Sequence, residues 1–264
     1  MRTAEGSSNY HALQMQANRR FAQGFQFGLA YTYSKAMDYY GNGSQAGGPS
    51  PVAGPTGATI AMFQNARTWA YGKSGFDQTH VLTLSYTYSL PKLSKVAPNP
   101  VVKAALDNWE ISGITSFASG VPNNITLVLS DNADLVGGGD GVRANITGDP
   151  RISHGERGFS KLFNPGVFAR PARGDSGNIG GGIVRGPGVM NWDVTLFKNF
   201  PIKSETRVFQ FRWEFYNLLN DTQFSTMNTA ATFNLAGAQT NASLGQATGA
   251  RAARIMQASL RFRF

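Results

Sequence analysis

The chain has 264 residues, enough for one large domain or two small ones, and its lack of cysteine excludes disulfide bonds and thiolate metal sites. Its apolar runs fall short of the ~20 residues of a transmembrane helix, and the start, MRTAEGSSNYHAL, lacks the apolar core of a signal peptide. The net charge of +9 is spread over turns, loops and strand faces instead of one basic stripe, which argues against a nucleic-acid partner.

Seven segments alternate apolar and polar residues with period two, the pattern of a β-strand with one apolar and one polar face. In chain order they are NYHALQMQANRRF, FQFGLAYTYS, THVLTLSYTYSL, NWEISGITSF, NWDVTLFKNF, RVFQFRWEFYN and the terminal RIMQASLRFRF. The fourth is the weakest, because Ile114 falls on its polar parity. A soluble β-sandwich or barrel is the alternative fold, but the aromatics of FQFGLAYTY and VFQFRWEF are too dense for a single soluble core.

The connections between these segments divide into short and long ones. Short turns are predicted at residues 22–24 and 201–205, and the link over 91–108 is longer, with a helical turn over 101–106. The other three connections, residues 35–78, 120–190 and 221–252, are long and rich in Gly, Pro, Asn and Ser. Short turns on one rim and long loops on the other are typical of outer-membrane β-barrels.

These patterns predict an all-β fold: an antiparallel, up-and-down transmembrane β-barrel segment of about seven strands, an open partial barrel with three long extracellular loops, in the bacterial outer membrane. Tyr31, Tyr33 and Trp192 lie near strand ends, as interfacial aromatic girdles require. Arg19 and Arg207 break the parity, but both lie beside short turns.

One parity is expected to face lipid and the other the lumen, since an Arg on the lipid side costs ~2–4 kcal/mol at the bilayer midplane. The predicted lipid-facing set is Phe25, Phe27, Leu29, Phe209, Phe211, Trp213, Leu260 and Phe262. The predicted lumen-facing residues are Gln210, Arg212, Glu214, Ser259 and Arg261, with Gln26 on the same side.

One short motif, RGDSG at residues 173–177, resembles both a protease nucleophile site and an adhesion tripeptide. Catalysis by Ser176 would need a histidine base oriented by a carboxylate. His11, His80 and His154 stand in no such setting and lack metal-ligand spacing. We therefore expect no enzymatic activity, no catalytic residue and no cofactor, and we read the motif as a chance feature of a loop.

A Gly-rich stretch carries Asp131, Asn132, Asp134 and Asp140, whose oxygens are the ligand type that calcium prefers. Their spacing departs from the EF-hand pattern, so a solvated loop is the simpler interpretation. We expect no metal site, although the sequence leaves calcium binding by this loop open.

Five stretches resemble the C-terminal barrel of Oar-like TonB-dependent receptors, which are outer-membrane proteins with an N-terminal carboxypeptidase-regulatory-like domain, a plug and a large barrel. The stretches are NYHALQMQANRRFAQGFQFGLAYTYSKAMD, FDQTHVLTLSYTYSLP, NWEISGITSFASGVP, VRGPGVMNWDVTLFKNFPI and FRWEFYNLLNDTQF. The resemblance covers residues 9–264, and RGPGVMNWDVTLFKNF followed by FYNLLN is its most specific part.

The resemblance implies a receptor or transporter that takes a ligand across the outer membrane, powered by an inner-membrane energy-coupling complex that acts on the plug. The plug and the regulatory-like domain have no counterpart in residues 1–264, and family barrels have about twenty-two strands. We therefore expect residues 1–264 to be a C-terminal barrel fragment that supplies wall strands and ligand-capturing loops. A complete small barrel with a structural or adhesive role is the alternative.

The resemblance also implies partners. Leu260, Phe262 and Phe264 lie on the apolar parity of the last strand, and the final aromatic resembles the signal that the barrel-assembly machinery recognises. Outer-membrane lipids and lipopolysaccharide are the other expected partners, because the basic loops would lie near anionic headgroups.

Replacing Phe264 with Asp should reduce insertion into the outer membrane, because a carboxylate would stand where an interfacial aromatic belongs. It would also remove the aromatic end that, by resemblance, the assembly machinery reads. Arg263→Asp, on the opposite face, is the matched control and should insert far better. Outer-membrane fractionation followed by heat-modifiability gels measures barrel yield. Equal yields for wild type and Phe264→Asp would exclude an assembly role for this residue.

Overall fold

The computed structural model describes residues 7–39, 69, 71–92, 94, 99–137, 142–202 and 204–264. Sixteen strands form in this part of the chain: β1 (Ser7–Ala22), β2 (Phe25–Tyr39), β3 (Gly72–Lys73), β4 (His80–Ser89), β5 (Trp109–Ala118), β6 (Pro122–Asn123), β7 (Thr126–Leu129), β8 (Asn145–Ile146), β9 (Phe168–Ala169), β10 (Val184–Arg185), β11 (Val189–Ile202), β12 (Ser204–Tyr216), β13 (Phe224–Met227), β14 (Ala230–Phe233), β15 (Ala247–Ala250) and β16 (Ile255–Arg263).

Short helices accompany the strands. An α-helix, α1 (Pro100–Leu106), begins where the Asn99 side chain accepts the Val101 N–H at 2.8 Å, with Pro100 at the first helical position. It confirms the predicted helical turn. Two 3₁₀ helices cover His154–Glu156 and Pro165–Val167. No helix within the described ranges is long and apolar enough to cross a membrane.

The seven predicted strands form one antiparallel sheet, the wall sheet, in the order β1-β2-β4-β5-β11-β12-β16, with β3 added beside β2. The prediction of seven strands is thus confirmed. The strands β1 and β2 extend further than the sequence predicted. Residues 72–79 pair with the C-terminal part of β2, which explains the extension of that strand. The Ser34 N–H donates to the Thr79 carbonyl at 2.9 Å, and the Ser74 N–H donates to the Ala36 carbonyl at 3.0 Å. Within the described residues the sheet is open, since β1 and β16 do not pair with each other.

The cross-strand register carries the two-residue alternation through the whole wall sheet. Phe27 lies opposite Tyr86, and Tyr86 lies opposite Gly113 on the next strand. Directly opposite residues of antiparallel strands lie on the same face, so one apolar face and one polar face run across all seven strands. The residues predicted to share each face do so in this register: Phe25, Phe27, Leu29, Phe209, Phe211, Trp213, Leu260 and Phe262 on the apolar face, Gln26, Gln210, Arg212, Glu214, Ser259 and Arg261 on the polar face.

Arg19 and Lys198 are cations on the apolar face near the short turns, and Arg207 shares the parity of Phe209 there. Arg19 stands opposite Phe27, as its parity predicted, and its guanidinium carbon lies 5.6 Å from the Phe25 ring centroid. Lys198 was not singled out from the sequence; it is 2% exposed and its ammonium donates to the Asp107 carbonyl. A cation on this face is tolerated because aromatic rings and a backbone oxygen replace its water shell.

The connections lie on two rims, as predicted. Because consecutive wall strands are antiparallel neighbours, the connections after β1, β4 and β11 share one rim, and those after β2, β5 and β12 share the other. The first rim carries the turn at residues 23–24, the α1 link and the β11–β12 turn. The second carries all three long connections, of which residues 40–68, 70 and 138–141 lie outside the described part.

The hydrophobic core lies in the long connections, not in the wall sheet. Phe163 and Phe233 are 2% and 1% exposed and belong to one buried cluster, whose other members are Ile125, Leu127, Ala144, Leu162, Phe168, Ile179, Val184, Ala231, Leu244 and Ala247. Short strands build this unit: β6 pairs with β10, β8 with β9, β13 with β15, and β7 runs parallel to β14. We call the described residues of 74–79, 119–188 and 217–254 the loop cap. The described residues of the long connections are therefore folded, which the sequence did not predict.

Gly113 allows a close contact on the apolar face. A Cβ atom at this position would lie 2.5 Å from the Tyr86 hydroxyl and 2.9 Å from the Asp193 carbonyl oxygen. The Tyr86 side chain therefore lies over Gly113, and an aromatic ring beside a strand glycine replaces the packing that the glycine lacks.

Gly113→Ala should destabilise the barrel by about 1–3 kcal/mol, because the added methyl group overpacks a contact that includes backbone. The measurement is the temperature at which the heat-modifiable band unfolds on gels. Gly155→Ala is the control, since a Cβ there meets nothing within 4 Å. A Gly113→Ala barrel that unfolds at the wild-type temperature would contradict the packing role of this contact.

Candidate functional site

The predicted lumen residues of β12 and β16 form a connected polar cluster. Arg212 Nη2 lies 2.9 Å from Glu214 Oε1, and the two side chains are 20% and 17% exposed. The Gln210 amide donates to Asn199 Oδ1 at 3.0 Å. Across the strand pair, Ser259 lies opposite Arg212 and Arg261 opposite Gln210. The structure thus brings all five predicted residues together: Gln210, Arg212, Glu214, Ser259 and Arg261.

An aromatic ring lies within this polar cluster. The Arg212 guanidinium carbon is 4.8 Å from the Phe197 ring centroid, a cation–π distance. Phe197 falls on the polar parity of β11, where it stands directly opposite Arg212. The cluster therefore combines charge, amide groups and an aromatic surface on the polar face.

The polar face also carries a cavity of about 430 Å³ between β1, β2, β4 and β5. Its lining includes the hydroxyl groups of Ser85, Thr87 and Ser112 and the amides of Asn18 and Gln26. Hydroxyls and amides both donate and accept hydrogen bonds, so this surface suits neutral polar groups more than a single ion.

In the loop cap, a buried carboxylate connects two long connections to the wall. The Asp77 side chain is fully buried; its Oδ1 accepts the Ala36 N–H at 2.6 Å, and its Oδ2 forms an ion pair with Arg185. The Arg185 guanidinium also donates to the Asp77 and Gly120 carbonyls, each at 3.0 Å. We call Asp77 and Arg185 the clamp, since they join β2, the approach to β4 and the second long connection.

Further arginines unite the rest of the loop cap. Arg157 donates to the Arg185 carbonyl at 3.0 Å, inside the second long connection. Arg170 binds both Asp131 oxygens, at 3.0 and 2.8 Å, and donates to the Asn234 carbonyl at 2.7 Å, which joins the second connection to the third. The cap is therefore one folded unit over the long-loop rim.

A further arginine is partly buried in the cap. The Arg143 guanidinium carbon lies 4.0 Å from the Trp69 ring centroid. Burial lowers the pKa of Arg143 to about 10, so this side chain remains charged at neutral pH. The ring supplies part of the electrostatic stabilisation that water would give an exposed guanidinium.

The RGDSG motif is part of the cap structure. Ser176 is only 6% exposed, whereas a nucleophile must reach its substrate. The Asp175 carboxylate accepts hydrogen bonds from the Asn145 amide at 2.7 Å and from the Gly177 N–H at 2.9 Å. This aspartate is thus engaged within the cap and is not free to present an adhesion tripeptide.

The three histidines are separated: His11 lies on β1, His80 on β4 and His154 in a 3₁₀ helix. His80 Nδ1 shares a hydrogen bond of 2.8 Å with the Tyr31 hydroxyl at the long-loop end of the wall. Among the described residues, no three His, Cys, Asp or Glu side chains are grouped so that they could hold a metal ion.

One of the four residues considered as calcium ligands, Asp131, is engaged in an ion pair within the cap. The Asp131 carboxylate is occupied by Arg170, and Asp134 Oδ1 accepts the Gly137 N–H at 2.8 Å. Asn132 adopts a left-handed turn conformation with φ of 49°. Asp140 lies outside the described residues.

The predicted assembly residues occupy the free edge of the wall sheet. Phe262 packs on Phe209 with ring centroids 4.8 Å apart, and Phe264 stacks on Phe262 at 5.8 Å. Phe264 is 94% exposed and Leu260 is 66% exposed. They therefore form an accessible apolar strip, and their role as an assembly signal stays a prediction.

The clamp was not predicted from the sequence, although both of its residues lie in stretches that carry the family resemblance. Asp77 belongs to FDQTH and Arg185 to VRGPGVMNWD. A lone aspartate and a lone arginine 108 residues apart gave no local reason to pair them.

The wall sheet is antiparallel and has one apolar and one polar face. It carries short turns on one rim and long loops on the other, and these features are typical of outer-membrane β-barrels. A family model described as "Outer membrane beta barrel domain" matches residues 1–257, and the chain belongs to this family. The protein is therefore a bacterial outer-membrane protein. No curated protein and no solved structure matches the chain.

Arg185→Met should loosen the loop cap without dissolving the wall, because it leaves the buried Asp77 carboxylate without its cation. Breaking a buried ion pair from one side costs about 3–5 kcal/mol. In intact outer membranes, the expected result is protease cleavage within residues 119–188 while the barrel remains heat-modifiable. Arg151→Met is the control, since the Arg151–Asp149 pair is solvent-exposed, with side chains 84% and 54% accessible. Equal cleavage of both variants would contradict the clamp.

Proposed function

We propose that residues 1–264 form the C-terminal part of the barrel of an Oar-like TonB-dependent outer-membrane receptor, to which they contribute wall strands and ligand-capturing loops. The open edges of the wall sheet carry this proposal. All 16 residues of β1 are exposed, and so are eight of the nine residues of β16. Unpaired backbone groups are not tolerated in lipid, so further strands must cover both edges.

The directions of the two edge strands limit how the barrel closes. Six antiparallel pairings connect β1 to β16, so both strands run the same way, towards the short-turn rim. If every pairing in the complete barrel is antiparallel, an odd number of additional strands must lie between them. A large barrel with an even total satisfies this condition, as bacterial single-chain barrels do.

The loop cap and the polar face support the receptor role. A folded cap holds its surface in a fixed shape, which lowers the entropy cost of capturing a ligand. Below it, Arg212, Glu214 and Phe197 would face the lumen and meet a ligand on its way through. The plug and regulatory-like domain would come from outside residues 1–264, and the plug would connect the receptor to the energy-coupling complex. No step of this role requires catalysis.

Size distinguishes the receptor from the alternative, a complete small barrel with a structural or adhesive role. An antibody against the loop cap should detect, in outer membranes of the source organism, a heat-modifiable protein far larger than the 28.4 kDa of residues 1–264. Peptide mass spectrometry of that band should recover residues 25–35 and 255–261 from one polypeptide. A folded band near 28 kDa would overturn the proposal and favour the small barrel.

A further inference from the structure

Three basic side chains form a row on the long-loop end of β1, β2 and β3. His11 lies directly opposite Lys35 on β2, and Lys73 on β3 lies opposite Met37, two residues further along β2. In this register all three share the side of the sheet that carries the apolar face. We call His11, Lys35 and Lys73 the basic row.

The basic row begins where the apolar face ends. Leu13 and Tyr33 form the last cross-strand pair before His11 and Lys35. Tyrosines at a strand end mark the level of the lipid headgroups, and one further pair lies about 6–7 Å higher. The row therefore lies at headgroup level, on the side of the barrel that contacts lipid.

The basic row has an excess of positive charge. Lys35 and Lys73 are diagonal neighbours across a strand pair, a spacing of about 7–8 Å at which like charges repel. Among the described residues, neither lysine nor His11 forms an ion pair. Asp77, the buried carboxylate whose charge acts on Lys73, already binds Arg185 and the Ala36 N–H. Asp38 is also buried, but it lies on the opposite parity of β2, across from Gly72.

The titration of Lys73 agrees with this excess. Burial lowers the pKa of Lys73, and the cations Arg185, Arg151 and Lys35 lower it further, against a single raising contribution from Asp77. Lys73 is half-buried, so solvent compensates its charge only in part. A bound anion would relieve both the desolvation and the repulsion.

We propose that the basic row binds a phosphate group of lipopolysaccharide in the outer leaflet. The row opens sideways towards the lipid, above the apolar face, so a lipid phosphate reaches it from the membrane plane, whereas a nutrient captured by the cap would come from above. The proposal uses the outer-membrane location and external long loops, and it is independent of the size of the complete barrel.

The test compares lipid retention by the natural full-length protein purified from outer membranes in mild detergent. Native mass spectrometry with diphosphorylated lipid A should show one tightly held lipid on the wild type. Lys35→Gln/Lys73→Gln should bind it about 25-fold more weakly, since each basic residue beside an anionic lipid surface contributes about fivefold. The control Lys92→Gln/Lys103→Gln removes two lysines from the short-turn rim and should bind like wild type.

Two further arms identify the source of the phosphate. Dephosphorylated lipid A should lose the tight binding, and inorganic phosphate at the same concentration as the lipid should not displace it. Equal binding by wild type and Lys35→Gln/Lys73→Gln, equal binding of dephosphorylated lipid A, or displacement by inorganic phosphate would each overturn the proposal. Heat-modifiability gels establish that each variant is folded before the comparison.

Discussion

Cross-strand register is the constraint on which the rest of this structure depends. Side chains alternate with period two, so a slip of one residue between any two wall strands would turn a polar row into the membrane. The register is continuous from Phe25 opposite Tyr88 to Phe211 opposite Lys198 and Leu260. Two tight turns, each with a register shift beside it, join neighbouring wall strands on one rim. Within the sheet, the Tyr86 side chain lies over Gly113, a contact that a slip of one residue would break.

The wall and the loop cap are stabilised in different ways. The wall contributes few of the buried apolar side chains, and much of its apolar face is exposed, as at Leu260, Phe262 and Trp213. The cap has a closed core around Phe163 and Phe233 and is further held by partly buried arginines that donate to backbone carbonyls. Such bonds to charged donors are stronger than neutral ones, which suits loops that contain many exposed backbone groups.

The wall could be predicted from the sequence, because a long strand with one apolar and one polar face shows the two-residue alternation directly. The α1 turn was also predicted from local letters. The loop cap could not be predicted, since its strands have two to four residues and pair over long distances, as β7 does with β14. Periodicity needs longer segments than these to be visible.

The polar cluster around Arg212 was predicted as a set, but its internal contacts were not. Parity placed Gln210, Arg212 and Glu214 on one face, yet only the structure shows Phe197 beneath the guanidinium. Lys198 could not be predicted at all, because a lysine conflicts with the apolar parity that it occupies on β11. Its ammonium group donates to the backbone carbonyl of Asp107, and a pattern of side chains cannot reveal a backbone acceptor.

The clamp lies between two regions whose sequences are under different physical constraints. Wall substitutions must respect parity and register at every position. The cap, in contrast, has a core of its own, and it is attached to the wall by the chain connections and by the buried Asp77–Arg185 pair. Side chains on the outer surface of the cap are therefore free of the two-residue constraint that every wall position carries.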